Sequence, residues 1–286
     1  MPSLTRRDLL KAGSGGAAFL SLARGARLAR TFAEEGKRIP VGLQLYSVQE
    51  EAADDLVGTL AAIAGMGYRG VEFAGYYGRS AAELRTMLAD AGLACCGSHV
   101  GIDAVLGDAL KETIEFNQAL GNKYLIVASL GEEYTGTRAG WERAARALTE
   151  AAVRARPQGM LIGFHNCTQS DTADFHPFDD GTLPWDLVFS STPDDFVQQI
   201  DTGSVVEGGA DPVALIRRYP GRTRTIHLKE HGGPFGEGEV PWEAVFEACE
   251  TVGGTEWYIV EQYRHEKPPL ESVAYCLEVL RKWGKV

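Results

Sequence analysis

The chain has 286 residues, 34 of them glycine, with 44% hydrophobic and 23% charged residues. That composition excludes a disordered chain and leaves one large domain or two modest ones. A formal charge of −11, and five cysteines at irregular spacing without a C-x-x-C pair, argue against nucleic-acid binding, a disulfide framework and a zinc ribbon.

The first 33 residues differ from the rest. Arg6 and Arg7 stand together in "SLTRRDLLKAG", the weakly apolar "AGSGGAAFLSLA" follows, and Arg24, Arg27, Arg30 and the small Ala33 close the segment. A basic start, a short apolar run and a small-residue exit describe a removable export signal, and the arginine pair points to the twin-arginine route. The apolar run falls short of the roughly 20 residues that span a bilayer. Gly13, Gly15 and Gly16 weigh against the alternative, an ordinary amphipathic helix. Segment 1–33 is therefore expected to be removed near Ala33, leaving a periplasmic protein without stable membrane insertion. Its loss takes away six Lys/Arg and one acidic residue, which moves the net charge from −11 to −16. Twin-arginine cargo folds before export, so a destination that favours disulfides need not produce any, and a metal can be loaded in the cytoplasm.

From residue 39 onward, short apolar runs alternate with longer stretches at helical spacing. In chain order the expected strands are "VGLQLYS" (41–47), "GVEFAG" (70–75), "LACCGSHV" (93–100), "YLIVASL" (124–130), "MLIGFHN" (160–166), "FVQQIDTG" (196–203), "TRTIHLKE" (223–230) and "WYIVEQY" (257–263). Helical patterns such as "SAAELRTMLADAG" and "WERAARALTEAAVRAR" lie between them, and Gly67, Gly92 and Gly253 stand where helices stop. Eight strand–helix units in about 250 residues predict a single α/β domain, a (β/α)8 barrel over 39–286. An open doubly wound sheet is the alternative, weakened because no G-x-G-x-x-G follows the first strand. The irregular stretch 166–195 is expected to be functional or to conceal short structure.

In such a barrel the site lies at the C-terminal strand ends, where inward side chains alternate with outward ones. Those ends carry Gln44 and Tyr46, Glu72, His99, His165 with Asn166, Asp201 above Gln199, His227 with Lys229, and Glu261. A lone strand-end histidine is more often a satisfied buried residue than a ligand. Here four successive strands, the fifth to the eighth, offer His165, Asp201, His227 and Glu261. Imidazole and carboxylate together suit one divalent ion, Mn, Mg, Co, Fe or Zn. The alternative is a buried ion-pair network, which is costly without a cation.

"GLQLYSV", "GVEFAGYYG", "SHVG", "FHN", "IDTGSVVEGGADPVALIRRYPGR", "IHLKEH", "GEGEVPWEAVFEAC" and "WYIVEQ" resemble the sugar phosphate isomerase/epimerase family. This belongs to the xylose-isomerase-like TIM barrel superfamily, with ketose 3-epimerases, inosose dehydratases and endonuclease IV. The resemblance spans residues 40 to 283. It implies a divalent metal held by Glu, Asp, His and Glu at strand ends. Asp201, His227 and Glu261 match three of these positions, and His165 replaces the first glutamate. Ketose 3-epimerases use the first and last glutamates as acid/base groups on opposite faces of a metal-bound enediolate, so one of these carboxylates is missing here. A related subgroup reads "YHNH" at this strand, where this chain has Cys167 for the second histidine. The acidity and the export signal oppose the DNA-binding endonuclease reading.

The expected chemistry is proton transfer next to a carbonyl of a small carbohydrate, through a metal-stabilised enediolate. Glu261 would move the proton, Lys229 would stabilise a developing oxyanion, and His99 is the candidate second proton carrier. Lys229 could instead pair with Glu230 or Glu237. Glu72, Gln44, Tyr46 and Asn166 are expected against substrate, although Glu72 could serve as a structural partner of Arg69 or Lys229. Tyr46, Phe164 and Trp257 suit either sugar stacking or the barrel core. "FGEGEVPW" (235–242) reads as a flexible glycine loop whose Glu237 and Glu239 would repel a phosphate. Isomerase or epimerase is the leading reading. A keto-sugar or keto-glycoside dehydratase or lyase is the second, and a non-catalytic sugar-binding barrel the third. Association into a homo-oligomer is compatible with all three.

Overall fold

The computed structural model describes residues 38–166, 173–262 and 267–286. The expected export segment, Cys167, Tyr263 and His265 lie outside them. From Ile39 onward eight parallel strands close into a barrel, each paired with its sequence neighbours and the last with the first. They are β1 (Val41–Gln44), β2 (Gly70–Phe73), β3 (Ala94–Val100), β4 (Tyr124–Val127), β5 (Leu161–His165), β6 (Val197–Asp201), β7 (Thr225–Leu228) and β8 (Trp257–Val260). The expected (β/α)8 barrel is the observed one. Among the described residues no helix is long and apolar enough to cross a membrane.

The two-residue period of each strand sorts its side chains. Outward-facing Leu43, Val71, Phe73, Leu125, Ile162, Phe164, Ile200, Ile226 and Tyr258 belong to the large buried layer shared with the helices. Phe164 lies between Trp141 and Trp185, with ring centroids at 6.3 and 5.6 Å, so it is core and offers no stacking surface to a sugar. Inside the barrel, Tyr124, Ile126 and Val197 pack with Leu161 and Trp257. Trp257 opens β8 and thus belongs to the floor of the barrel, away from the strand ends. Below it Glu256 accepts hydrogen bonds from Tyr124 Oη at 2.5 Å and Arg224 Nη1 at 2.7 Å, closing the N-terminal end.

Several strands end earlier than the apolar runs suggest. β1 stops at Gln44, and Leu45–Val48 form a 3-10 turn capped by Gln44 Oε1, which accepts from Tyr46 N at 3.1 Å. Tyr46 therefore lies on a turn, not on the face that Gln44 shares. β6 passes directly into the helix Thr202–Glu207, because Asp201 Oδ1 accepts from Ser204 N at 2.7 Å as an N-cap. Within the irregular stretch, the helix Pro184–Ser191 starts at a proline and buries Trp185 completely. Short structure was concealed there, as one of the two expectations held.

The glycine loop after β7 is pinned. Glu230 Oε1 accepts from His231 N and Val240 N, and Oε2 accepts from Gly236 N and Trp242 Nε1, all between 2.6 and 3.1 Å. The loop can fold this tightly because a Cβ at Gly238 would sit 2.1 Å from His231 O. Glu230→Ala leaves four donors without their ionic acceptor. It is expected to lower the unfolding free energy by about 3–5 kcal/mol, measured by urea denaturation. A change under about 1 kcal/mol would show that water replaces the carboxylate there without penalty.

Candidate metal centre and active site

The strand ends of β5 to β8 bring His165, Asp201, His227 and Glu261 together, as their alternation implied. One ligand atom from each lies within 4.8 Å of the others, and all four residues are buried. The β6–β7 register sets Asp201 opposite His227, while Glu261 follows β8 directly. His99, from β3, adds a third imidazole, with ring centroids 4.8 Å from His165 and 5.1 Å from His227.

The polar atoms beneath this set are committed. Glu72 is fully buried, accepting from Gln199 Nε2 at 2.8 Å on Oε1 and from Gln44 Nε2 at 2.8 Å on Oε2. His227 Nε2 lies 2.5 Å from the same Oε2. Burial pushes the Glu72 carboxyl up, but His99 and His227 beside it hold it below the usual carboxylate range. An ionised carboxylate only accepts, so His227 Nε2 donates to Glu72, and Nδ1, 3.1 Å from Glu261 Oε2, donates there until a cation displaces its hydrogen. Glu72 and Gln44 thus orient the centre from below, rather than lining a wall against substrate hydroxyls. Arg69 and Lys229, the alternative partners for Glu72, are replaced by His227, Gln199 and Gln44. A β-bulge makes this contact possible: the β2–β3 register shifts at Val71/Glu72, bringing Gly97 opposite Glu72, where a Cβ would lie 2.3 Å from Oε1.

The remaining expected residues take definite places. His99 Nε2 donates to Gln199 Oε1 at 2.7 Å and lies 3.3 Å from Glu72 Oε2. The Asn166 side chain accepts from Asp201 N at 2.8 Å and donates to Asp201 O at 3.3 Å, so it fixes the backbone that carries Asp201. Lys229 follows β7, and its Nζ lies 3.3 Å from Asp201 Oδ2 and donates to Ser204 Oγ at 3.0 Å. Its expected alternative partners are engaged elsewhere: Glu230 by the loop and Glu237 by Tyr275 Oη at 3.1 Å. The roles of Gln199, Ser204 and Glu230 as supports emerge only in three dimensions. A signal for one of them was present, since Asp201 followed three residues later by Ser204 is an N-cap spacing.

The electrostatics separate the donors. Burial lowers the His165 basicity, and His227 and His99 lower it further, so its ring is neutral. Both of its nitrogens are buried without a hydrogen bond, as is Asp201 Oδ2. Burial also raises the Asp201 carboxyl, against the pull of Lys229. Burial alone would lower His227, but Glu72 and Glu261 on its two sides raise it to about 10. Burial pushes Glu261 up, yet His227 outweighs it and holds the carboxyl at about 2. Buried polar atoms seldom lack partners. His165 offers one lone-pair nitrogen, and with Asp201, His227 and Glu261 each giving one atom within 4.8 Å of the others the set fits a borderline divalent cation. Glu72, holding the far nitrogen of His227, matches the outer carboxylate that fixes a metal-bound histidine.

A closed eight-stranded parallel barrel with a His/Asp/His/Glu set at its C-terminal mouth defines a barrel of the metal-competent, enzyme-bearing kind. The chain belongs to the xylose isomerase-like TIM barrel family, whose profile matches residues 60–283. An inosose dehydratase from Lacticaseibacillus casei is 28% identical over 183 residues, covering 51% of this chain and 59% of that protein. This chain thus spans about three fifths of the length of that curated relative. A sugar phosphate isomerase/epimerase from Parabacteroides distasonis has the same fold, with a TM-score of 0.74 and 22% identity over 88% of this chain and 96% of that one. A D-allulose 3-epimerase from Methylomonas sp., solved with D-allulose, superposes with a TM-score of 0.64 at 16% identity, over 86% of this chain and 97% of that one.

Proposed function

We propose that this protein is a divalent-metal-dependent isomerase or epimerase of a small carbohydrate, working by proton transfer next to a carbonyl. The observation that carries the reading is the buried set His165, Asp201, His227 and Glu261, in which the His165 ring makes no hydrogen bond and Asp201 Oδ2 has only the Lys229 ion pair. A cation held by these four would polarise a substrate carbonyl and its neighbouring hydroxyl.

Glu261 is the proton carrier in this reading. Its carboxyl is held ionised beside His227, and it directly follows the last strand, next to Gln262 at the cavity wall. Lys229 balances the Asp201 carboxylate and supplies positive charge at the edge of the centre, where an oxyanion would develop. His99 gives its Nε2 hydrogen to Gln199, which leaves Nδ1 as the nitrogen that would take a proton from the opposite wall. The fold relation to epimerases and isomerases supports the reading. Export through the twin-arginine route belongs to the same proposal, on the strength of Arg6 and Arg7.

Dehydration or elimination is the second reading, favoured by His165 in place of a second carboxylate and by the inosose dehydratase relative. Mass spectrometry on a panel of ketoses in deuterated water, with Mn, Mg, Co, Fe or Zn supplied, tests both. The expected result is deuterium at a carbon next to the carbonyl and a changed configuration there, with no loss of water. Loss of water or of an aglycone would replace the isomerase reading by the second. A metal-loaded protein that exchanges no sugar proton would end both.

A further inference from the structure

A cavity of about 640 Å³ opens beside the candidate centre, over β7 and β8. It meets the centre at two points. Lys229 lines it while reaching Asp201 Oδ2, and Gln262 lines it immediately after Glu261. The volume falls among cavities that enclose drug-sized molecules, roughly 300–1,000 Å³, and exceeds what one sugar ring needs. Its wall is built in advance, because Glu230 binds four donors of the loop that forms one side. The helix Pro269–Lys282 forms the other side through Ser272, Tyr275 and Cys276.

The lining has the chemistry of a neutral polyol site. Glu207, Glu230 and Glu237 face the cavity against Lys229 and Lys267, so its carboxylates outnumber its lysines. Lys229 is paired with Asp201, and Lys267 Nζ lies 4.8 Å from the centre of the Tyr275 ring. A phosphate dianion would therefore meet excess negative charge, whereas sugar hydroxyls would find acceptors in Glu207 and Glu237 and a donor in Lys267, the Glu230 oxygens being taken by the loop. Tyr275 lines the cavity with a ring that carries Lys267 Nζ over one face and whose hydroxyl donates to Glu237, a fixed aromatic edge with polar groups on both sides for a pyranose to meet.

Resting on the proposed carbohydrate function, we propose that this cavity is a subsite for an uncharged glycosyl unit attached to the reacting keto-sugar. The substrate is then a glycosylated ketose, neither a free monosaccharide nor a sugar phosphate.

Calorimetric titration of the metal-loaded full chain tests this, with fructose, fructose 6-phosphate and three glucosyl-fructoses that keep a free ketose: isomaltulose, turanose and maltulose. At least one glucosyl-fructose is expected to bind about tenfold or more tighter than fructose, with fructose 6-phosphate weakest. Ser272→Trp, which fills the cavity from the helix, is expected to erase the glucosyl advantage and leave fructose affinity unchanged. Glu237→Arg, at an exposed position, is expected to strengthen fructose 6-phosphate binding. Equal affinity for fructose and all three glucosyl-fructoses would overturn the proposal. So would Ser272→Trp leaving a glucosyl preference intact, or fructose 6-phosphate binding best to the wild type. Because titration reads binding alone, it separates this subsite from the chemistry. A glucosyl preference with no proton exchange would defeat the catalytic reading and retain the subsite.

Discussion

Asp201→Asn is expected to strip the divalent cation from the purified protein while the barrel stays folded. The substitution is isosteric and keeps an oxygen to accept from Ser204 N, so the cap of the helix Thr202–Glu207 survives. What it removes is the charged Oδ2, the atom that is buried without a hydrogen bond, 3.3 Å from Lys229 Nζ and 3.9 Å from His165 Nε2. An amide is a much poorer ligand than a carboxylate for a borderline divalent ion. The loss in metal affinity should exceed the roughly 10–100-fold typical of removing a supporting partner of a ligand. Elemental mass spectrometry is the measurement, with circular dichroism to check the fold. The wild type should carry about one ion per chain and the variant almost none. A wild type that takes up no divalent ion, even after reconstitution, would make the four residues a buried polar network and remove the proposed mechanism.

Glu261→Gln should have the largest effect on rate. Glutamine preserves the volume and an oxygen toward His227, but it cannot accept the proton from carbon. General acid–base groups typically contribute about 100- to 10,000-fold, and deuterium exchange into the substrate should fall by that amount. Because Glu261 belongs to the donor set, the comparison is made at saturating metal, with bound metal quantified in the same sample. An exchange rate near that of the wild type at equal metal content would exclude Glu261 as the proton carrier. A lost rate with metal retained would assign it that role rather than ligation alone.

The eight apolar runs, with helical stretches between them, made the barrel legible. Each strand buries one face against helices and the other in the barrel, and this leaves a periodic trace in sequence. The donor set was legible for the same reason. His165, Asp201, His227 and Glu261 each break an apolar run at its end, and closing the barrel makes those ends neighbours. Glu72 breaks its run in the same way and was expected against substrate, yet it lies beneath the donors. Depth along the barrel axis depends on strand tilt and register, here on the bulge that sets Gly97 opposite Glu72. Trp257 and Phe164 show the same limit, one on the floor and the other in the outer core.

Burial imposes a period that local order records, so the fold class and the residue types at the barrel mouth could be read from the chain alone. Which polar atoms keep a partner was settled when the barrel closed. Lys229 turned to Asp201 rather than Glu230, Glu230 took the glycine loop, and His165 was left with two unsatisfied nitrogens. Those outcomes depend on distances of about 3 Å between residues far apart in the chain, since a hydrogen bond is lost within a fraction of that length.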